Sequence, residues 1–98
     1  MELVKTAQKL EALGNPTRLG IFKLLVQAGK KGLPVGDIQK SLGVPASTLS
    51  HHIAKLVNTG LVVQRRESRT LFCVADYVVM QDLIGYLVDK CCVKDSCC

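Results

Sequence analysis

The chain has 98 residues, enough for one domain with a modest hydrophobic core. Thirteen Lys and Arg against eight Asp and Glu give a formal charge of +5, which suits a nucleic-acid partner without requiring one. No apolar run approaches the ~20 residues of a membrane span, and the opening Met1-Glu2-Leu3-Val4-Lys5-Thr6 lacks the apolar stretch of a secretory signal, so a cytoplasmic location is expected.

In chain order, Leu3, Ala7 and Leu10 recur at helical spacing and predict a first helix over residues 2–12, ended by Gly14. Asn15 is a good N-cap for a second helix, and Pro16 fits its first position. Leu19, Ile21, Phe22, Leu24, Leu25 and Val26 leave this helix apolar nearly all round, as expected at the centre of a small domain. Gly29 closes it, and Lys30-Lys31-Gly32 reads as a solvated basic loop. Residues 35–42 read as a short helix broken by Gly43. Residues 45–59 read as a longer one, opened by Pro45 and stopped by Gly60.

The 45–59 segment organises the chain. Leu49, Ile53, Leu56 and Val57 form its apolar stripe, and the other side carries Ser47, Thr48, His51 and Lys55. Short hydrogen-bonding side chains let a helix approach base edges closely, and a Lys can take a phosphate. A helix, a glycine turn and a second helix with a polar outer face make a helix-turn-helix. Ser47, Thr48, Ser50 and His51 are the candidates for base contact, with Lys55 for the backbone.

After Gly60 the period changes. Residues 61–66 and 70–74 are rich in β-branched and apolar residues and predict two strands joined at Glu67-Ser68-Arg69. Behind a helix-turn-helix such a hairpin is a wing, carrying Arg65, Arg66 and Arg69. Arg66 and Arg69 are the candidates for phosphate contact; the plainer alternative is a solvated hairpin kept soluble by its charges. Asp76 then caps a last helix reaching about residue 92, with Val79, Met80, Leu83, Ile84, Leu87 and Val88 on its apolar side. A chain this short cannot cover that surface, so the first and last helices are the expected homodimer interface. The expected class is mainly α with a β-hairpin wing, a dimeric winged helix-turn-helix in the order of four helices, two strands and one helix. Its domain covers residues 1–92, followed by a cysteine-rich tail over residues 93–98.

Five cysteines are an odd number, and four of them fall in the last eight residues. A secreted disulfide framework would spread them through the fold, so this pattern points to thiol chemistry on a tail. Cys73, alone among apolar residues, reads as a small core residue. His51 and His52 are adjacent and therefore point ~100° apart on a helix. His51 falls on the DNA face and His52 beside the apolar stripe, where a structural role is expected. No nucleophile–base pair, phosphate loop or paired-acid motif stands out, so an enzyme is not expected.

The segments Leu13-Gly14-Asn15-Pro16-Thr17-Arg18-Leu19, Ser47-Thr48-Leu49-Ser50-His51-His52-Ile53, Thr59-Gly60-Leu61-Val62 and Arg65-Arg66-Glu67-Ser68-Arg69 together resemble the arsenic-repressor (ArsR/SmtB) family of winged-helix metalloregulators. The resemblance runs in register over about residues 7–75. It implies a homodimer that binds an imperfect inverted repeat in double-stranded DNA and leaves it when a metal or metalloid binds. One group in the family carries Cys-Val-Cys-Asp in the first helix of the helix-turn-helix. Here that run is Pro34-Val35-Gly36-Asp37, without a thiol. Another group binds zinc between its last helices through Asp and His. Here the last helix keeps Asp76 and Asp89 but has no His.

The tail Cys91-Cys92-Val93-Lys94-Asp95-Ser96-Cys97-Cys98 resembles members with a C-C-x5-C thiol set, with Cys91, Cys92 and Cys98 matching and Cys97 as an extra or substitute thiol. Thiolates select soft ions over Mg²⁺, Ca²⁺ or Mn²⁺. Trivalent arsenic or antimony forms three bonds and keeps a lone pair, so three sulfurs satisfy it. Four cysteines could instead hold zinc, cadmium or lead, although adjacent Cys-Cys pairs differ from the usual spaced ones. As(III) or Sb(III) is thus the expected inducer, with no organic cofactor. A thiol-redox repressor of the same fold and a protein-binding winged helix are the other readings.

Overall fold

A computed structural model describes residues 2–95. Asn15 makes its first corner. The Asn15 side-chain oxygen accepts from the backbone N–H groups of Thr17 (2.9 Å) and Arg18 (3.1 Å), and Pro16 takes the first helical position. Two of the donors that a helix start leaves unpaired are thereby satisfied. The corner separates α1 (Leu3–Leu13) from α2 (Pro16–Ala28). Ile21, Phe22 and Leu25 of α2 are buried against α1, α3, α4 and the sheet. Leu19 remains 45% exposed, so α2 is covered on one side rather than surrounded as its composition suggested. A domain of this size has too few elements to enclose a helix.

Residues 29–34 differ more from expectation. The basic loop is a tight 3-10 turn at Gly29–Lys31, followed by a two-residue strand, β1 (Leu33–Pro34). Next come α3 (Val35–Leu42), α4 (Ala46–Asn58), β2 (Val62–Glu67), β3 (Thr70–Ala75) and α5 (Tyr77–Val88). The sheet order is β1-β3-β2, all antiparallel. Leu33 pairs with Cys73 and Pro34 with Phe72, and the hairpin register runs from Val62 opposite Ala75 to Glu67 opposite Thr70. Gly32 is buried, with φ +74°, and a Cβ there would run into the Cys73 carbonyl. Glycine is needed at this position for β1 to approach β3.

Gly43 turns α3 into α4 in the left-handed conformation, φ +66°. Pro45 is the cap of α4 rather than its first residue, and its carbonyl accepts the Leu49 N–H at 2.9 Å. At the other end the Thr59 hydroxyl donates to the Lys55 and Leu56 carbonyls, both at 3.1 Å, before Gly60 at φ +81° reverses the chain. Leu49, Ile53 and Leu56 are buried with Ile38, Leu61 and Val62 in one core.

The carboxylate of Asp76 accepts the Val79 N–H (3.1 Å) and starts α5 as expected. The helix ends at Val88, short of residue 92. Lys90 and Cys92 have φ of +58° and +55°, which an α-helix cannot continue through. The chain leaves in successive turns instead, with Cys91 N–H on the Val88 carbonyl and Val93 N–H on the Lys90 carbonyl. The apolar side of α5 divides: Leu83 is buried and Val79 and Met80 partly so, while Ile84, Leu87 and Val88 are exposed. Leu3, Val4 and Leu10 of α1 are exposed as well. Among the described residues no helix is long and apolar enough to cross a membrane.

Candidate nucleic-acid interface and tail thiols

Burial of Leu49, Ile53 and Leu56 fixes which side of α4 faces out. Ser47, Thr48, Ser50 and His51 are all exposed, as their spacing predicts. His52 is half-buried, and its Nδ1 lies 3.3 Å from Arg18 Nη1. The same guanidinium donates through Nε to the Ala12 carbonyl at 2.7 Å. Arg18 therefore ties the end of α1 to the middle of α4, and His52 belongs to that tie.

Lys55 lies on the expected side of α4 but has a partner the sequence did not show. Its Nζ lies 2.8 Å from Glu11 Oε1 at the end of α1. The hydrogen bond from Lys55 and its charge hold the Glu11 carboxyl below its ordinary value of 4.5. Sequence reasoning missed Glu11, because nothing local to residue 11 or residue 55 shows that the two helices meet. Arg18, His51, Ala54, Lys55 and Asn58 line an open depression of about 310 Å³ on this side of α4.

The wing arginines separate by strand alternation. Arg65 turns back across the sheet: its Nε pairs with Glu67 Oε1 at 3.0 Å, and Nη2 donates to the Lys31 carbonyl at 3.0 Å. Its guanidinium also sits 5.2 Å from the centre of the Phe72 ring. Arg66 on the next position and Arg69 in the turn are exposed. Ser68 makes that turn at φ +56°. Among the described residues the wing thus offers two cations that form no ion pair, Arg66 and Arg69, and uses the third to hold itself to the 3-10 turn.

Cys73 is fully buried on β3, where Gln64 Nε2 donates to its Sγ at 3.8 Å. Burial pushes the thiol above its ordinary value of 9.0, and the bond from Gln64 opposes this only in part. Cys91 is exposed and Cys92 half-buried, in the turns beyond α5 rather than on its last turn. Their Sγ atoms stand 3.6 Å apart, well beyond the ~2.05 Å of a disulfide, so they are not bonded to each other. Neither is a free thiol. Cys97 and Cys98 lie outside the described residues. Among the described residues no group of three or more His, Cys, Asp or Glu could hold a metal ion.

A helix-turn-helix whose second helix exposes hydroxyls and an imidazole, followed by an antiparallel hairpin with outward arginines, defines a winged helix-turn-helix. A family model described as a helix-turn-helix domain matches residues 13–65. An HTH-type transcriptional regulator of Methanocaldococcus jannaschii is 34% identical over 86% of this chain and 88% of its own length. The regulator NmtR of Mycobacterium tuberculosis is 39% identical over 88% of this chain and 66% of its own length. A putative arsenical resistance operon repressor of Halobacterium salinarum is 35% identical over 61% of this chain and 50% of its own length. Among solved structures, HlyU from Vibrio cholerae superposes with a TM-score of 0.74 at 32% identity, covering 94% of this chain and 99% of that one. A homodimeric winged helix-turn-helix domain from Mycobacterium bovis, a possible ArsR-family regulator, gives 0.71 at 27% identity, covering 91% and 82%. The chain belongs to the helix-turn-helix transcriptional regulators, and its fold is like that of a possible ArsR-family winged helix-turn-helix domain.

Proposed function

We propose that the chain is a homodimeric transcriptional repressor that holds an operator inverted repeat and releases it when trivalent arsenic or antimony binds its tail thiols. The observation that carries this reading is the Cys91–Cys92 sulfur pair, 3.6 Å apart, just beyond a helix that leaves Ile84, Leu87 and Val88 uncovered. Two thiolates on one ion with bonds of ~2.3 Å would stand roughly 3.4–3.8 Å apart between a pyramidal and a tetrahedral angle, so little movement brings both sulfurs onto one soft ion. The homodimeric neighbour supports pairing, for which the uncovered sides of α1 and α5 offer apolar surface, and the arsenical-resistance relative supports the choice of inducer.

Function then follows from position. Two recognition helices on one dimer must fit successive major grooves together. Reduced thiols displace hydroxide from arsenite, one water leaving per As–S bond formed, and the tail closes on the arsenic. A tail drawn together just past α5 shifts the helix that sets the spacing between protomers. The effector works only through its unequal affinity for the two arrangements. A coupling of ~1–3 kcal/mol corresponds to roughly 5–150-fold weaker operator binding. The test is arsenite titration of the reduced protein on a labelled operator duplex. The Cys91→Ser/Cys92→Ser double variant should bind the duplex and stay bound. Release like wild type would exclude the tail as the sensor.

The close approach of the Cys91 and Cys92 sulfurs favours one second reading, a redox repressor. Two thiols give two electrons and two protons to a peroxide, forming one S–S bond and two waters. That reading requires release by peroxide, reversal by dithiothreitol and no response of the reduced complex to arsenite.

A further inference from the structure

Lys55 is the single Lys or Arg of α4, and it sits on the same side as Ser47, Thr48 and His51. It is also the only member of the Arg18–His51–Ala54–Lys55–Asn58 depression whose cation can move to a new partner. Arg18 is committed to the Ala12 carbonyl and to His52. The Lys55 partner is Glu11, at 2.8 Å, with 42% and 65% of the two side chains exposed. Such a half-solvated pair is readily exchanged. A phosphodiester entering the depression presents an anion of the same charge as the carboxylate, to the same ammonium.

We propose that the depression beside Lys55 seats a backbone phosphate of the operator, and that Glu11 is a built-in competitor for it. This rests on the DNA-binding reading above. When DNA docks, the Lys55 ammonium leaves Glu11 Oε1 for the phosphate, and the carboxylate left behind gathers a solvent cation. The seat therefore contributes contact but almost no net release of counterions. Glu11 lowers both the affinity and its dependence on salt, while Arg18 keeps the end of α1 on α4 through Ala12 and His52.

The measurement is fluorescence anisotropy of the full chain with two labelled duplexes, one from the promoter of its own gene and one of random sequence. Salt is varied from about 50 to 200 mM. Glu11→Gln should tighten binding to both duplexes and steepen the slope of log affinity against log salt by up to about 0.9 per protomer. Lys55→Met should flatten that slope by the same amount in the Glu11→Gln background and change it little in the wild-type background. Unchanged or weaker binding by Glu11→Gln overturns the proposal, as does equal flattening by Lys55→Met in both backgrounds. A wild-type chain that shows no salt-sensitive binding to either duplex overturns the DNA-binding reading itself. Matching circular dichroism melts establish that each variant is folded.

Discussion

The Tyr77 hydroxyl lies 3.2 Å from both the Leu25 and the Val26 carbonyl oxygens, so the first residue of α5 is fastened to the last turn of α2. Those carbonyls are among the four that a helix end leaves without intrahelical partners. Tyr77→Phe should lower stability by about 0.5–1.5 kcal/mol. Urea unfolding checks this; an unchanged midpoint would mean that water serves the two carbonyls equally well.

Wing arginines should divide by role. Arg69→Ala should weaken binding to every duplex and flatten the salt slope by about one unit per protomer, with folding unaffected. Arg65→Ala should instead cost stability, about 0.5–1 kcal/mol for the lost contact with Phe72. Paired anisotropy and thermal melts separate the two, and a normal salt slope for Arg69→Ala would remove it from the interface.

Gly32→Ala should cost roughly 1–3 kcal/mol, because φ of +74° suits only glycine and the added methyl meets the Cys73 carbonyl. Amide exchange at Leu33 and across β3 should accelerate in this variant. Full protection of those amides would show that β1 can re-seat around a side chain.

Cys73 should be inert to iodoacetamide until the chain unfolds. Its raised folded value also fixes a sign. The folded state keeps the thiol proton to higher pH than the unfolded chain does. The contribution is therefore fully present below the ordinary value of 9.0 and is lost as pH rises from there through the folded value. Stability measured upward from pH 9 should fall more steeply in wild type than in Cys73→Ala. Parallel curves would mean that the thiolate is tolerated in place.

Local signals carried most of the fold. Asn15-Pro16, Gly43 and Asp76 act on their immediate neighbours, so caps and turns were readable in place. Strand β1 was not, because Leu33 and Pro34 take their conformation from Cys73 and Phe72, which are far away in the chain. The end of α5 was misplaced because apolar periodicity continues into residues whose backbone turns left-handed at Lys90. At the interface, spacing sorted Ser47, Thr48, Ser50 and His51 onto the open side and His52 away from it. It could not reveal Glu11 opposite Lys55, since that pair exists only through packing of α1 on α4. The tail thiols were legible as composition, whereas their geometry past Val88 was not.

Both borders of the small sheet discourage further strands. On one side β2 presents Gln64, Arg65, Arg66 and Glu67, all four exposed and three of them charged. On the other, β1 is two residues long and one of them is Pro34, which has no amide hydrogen to offer. The charges on β2 and the shortness of β1 make both borders poor templates for a further strand. The exposed apolar surfaces of α1 and α5, proposed above for pairing, would then bury most by closing a pair of helices, not by the open-ended stacking that leads to fibres.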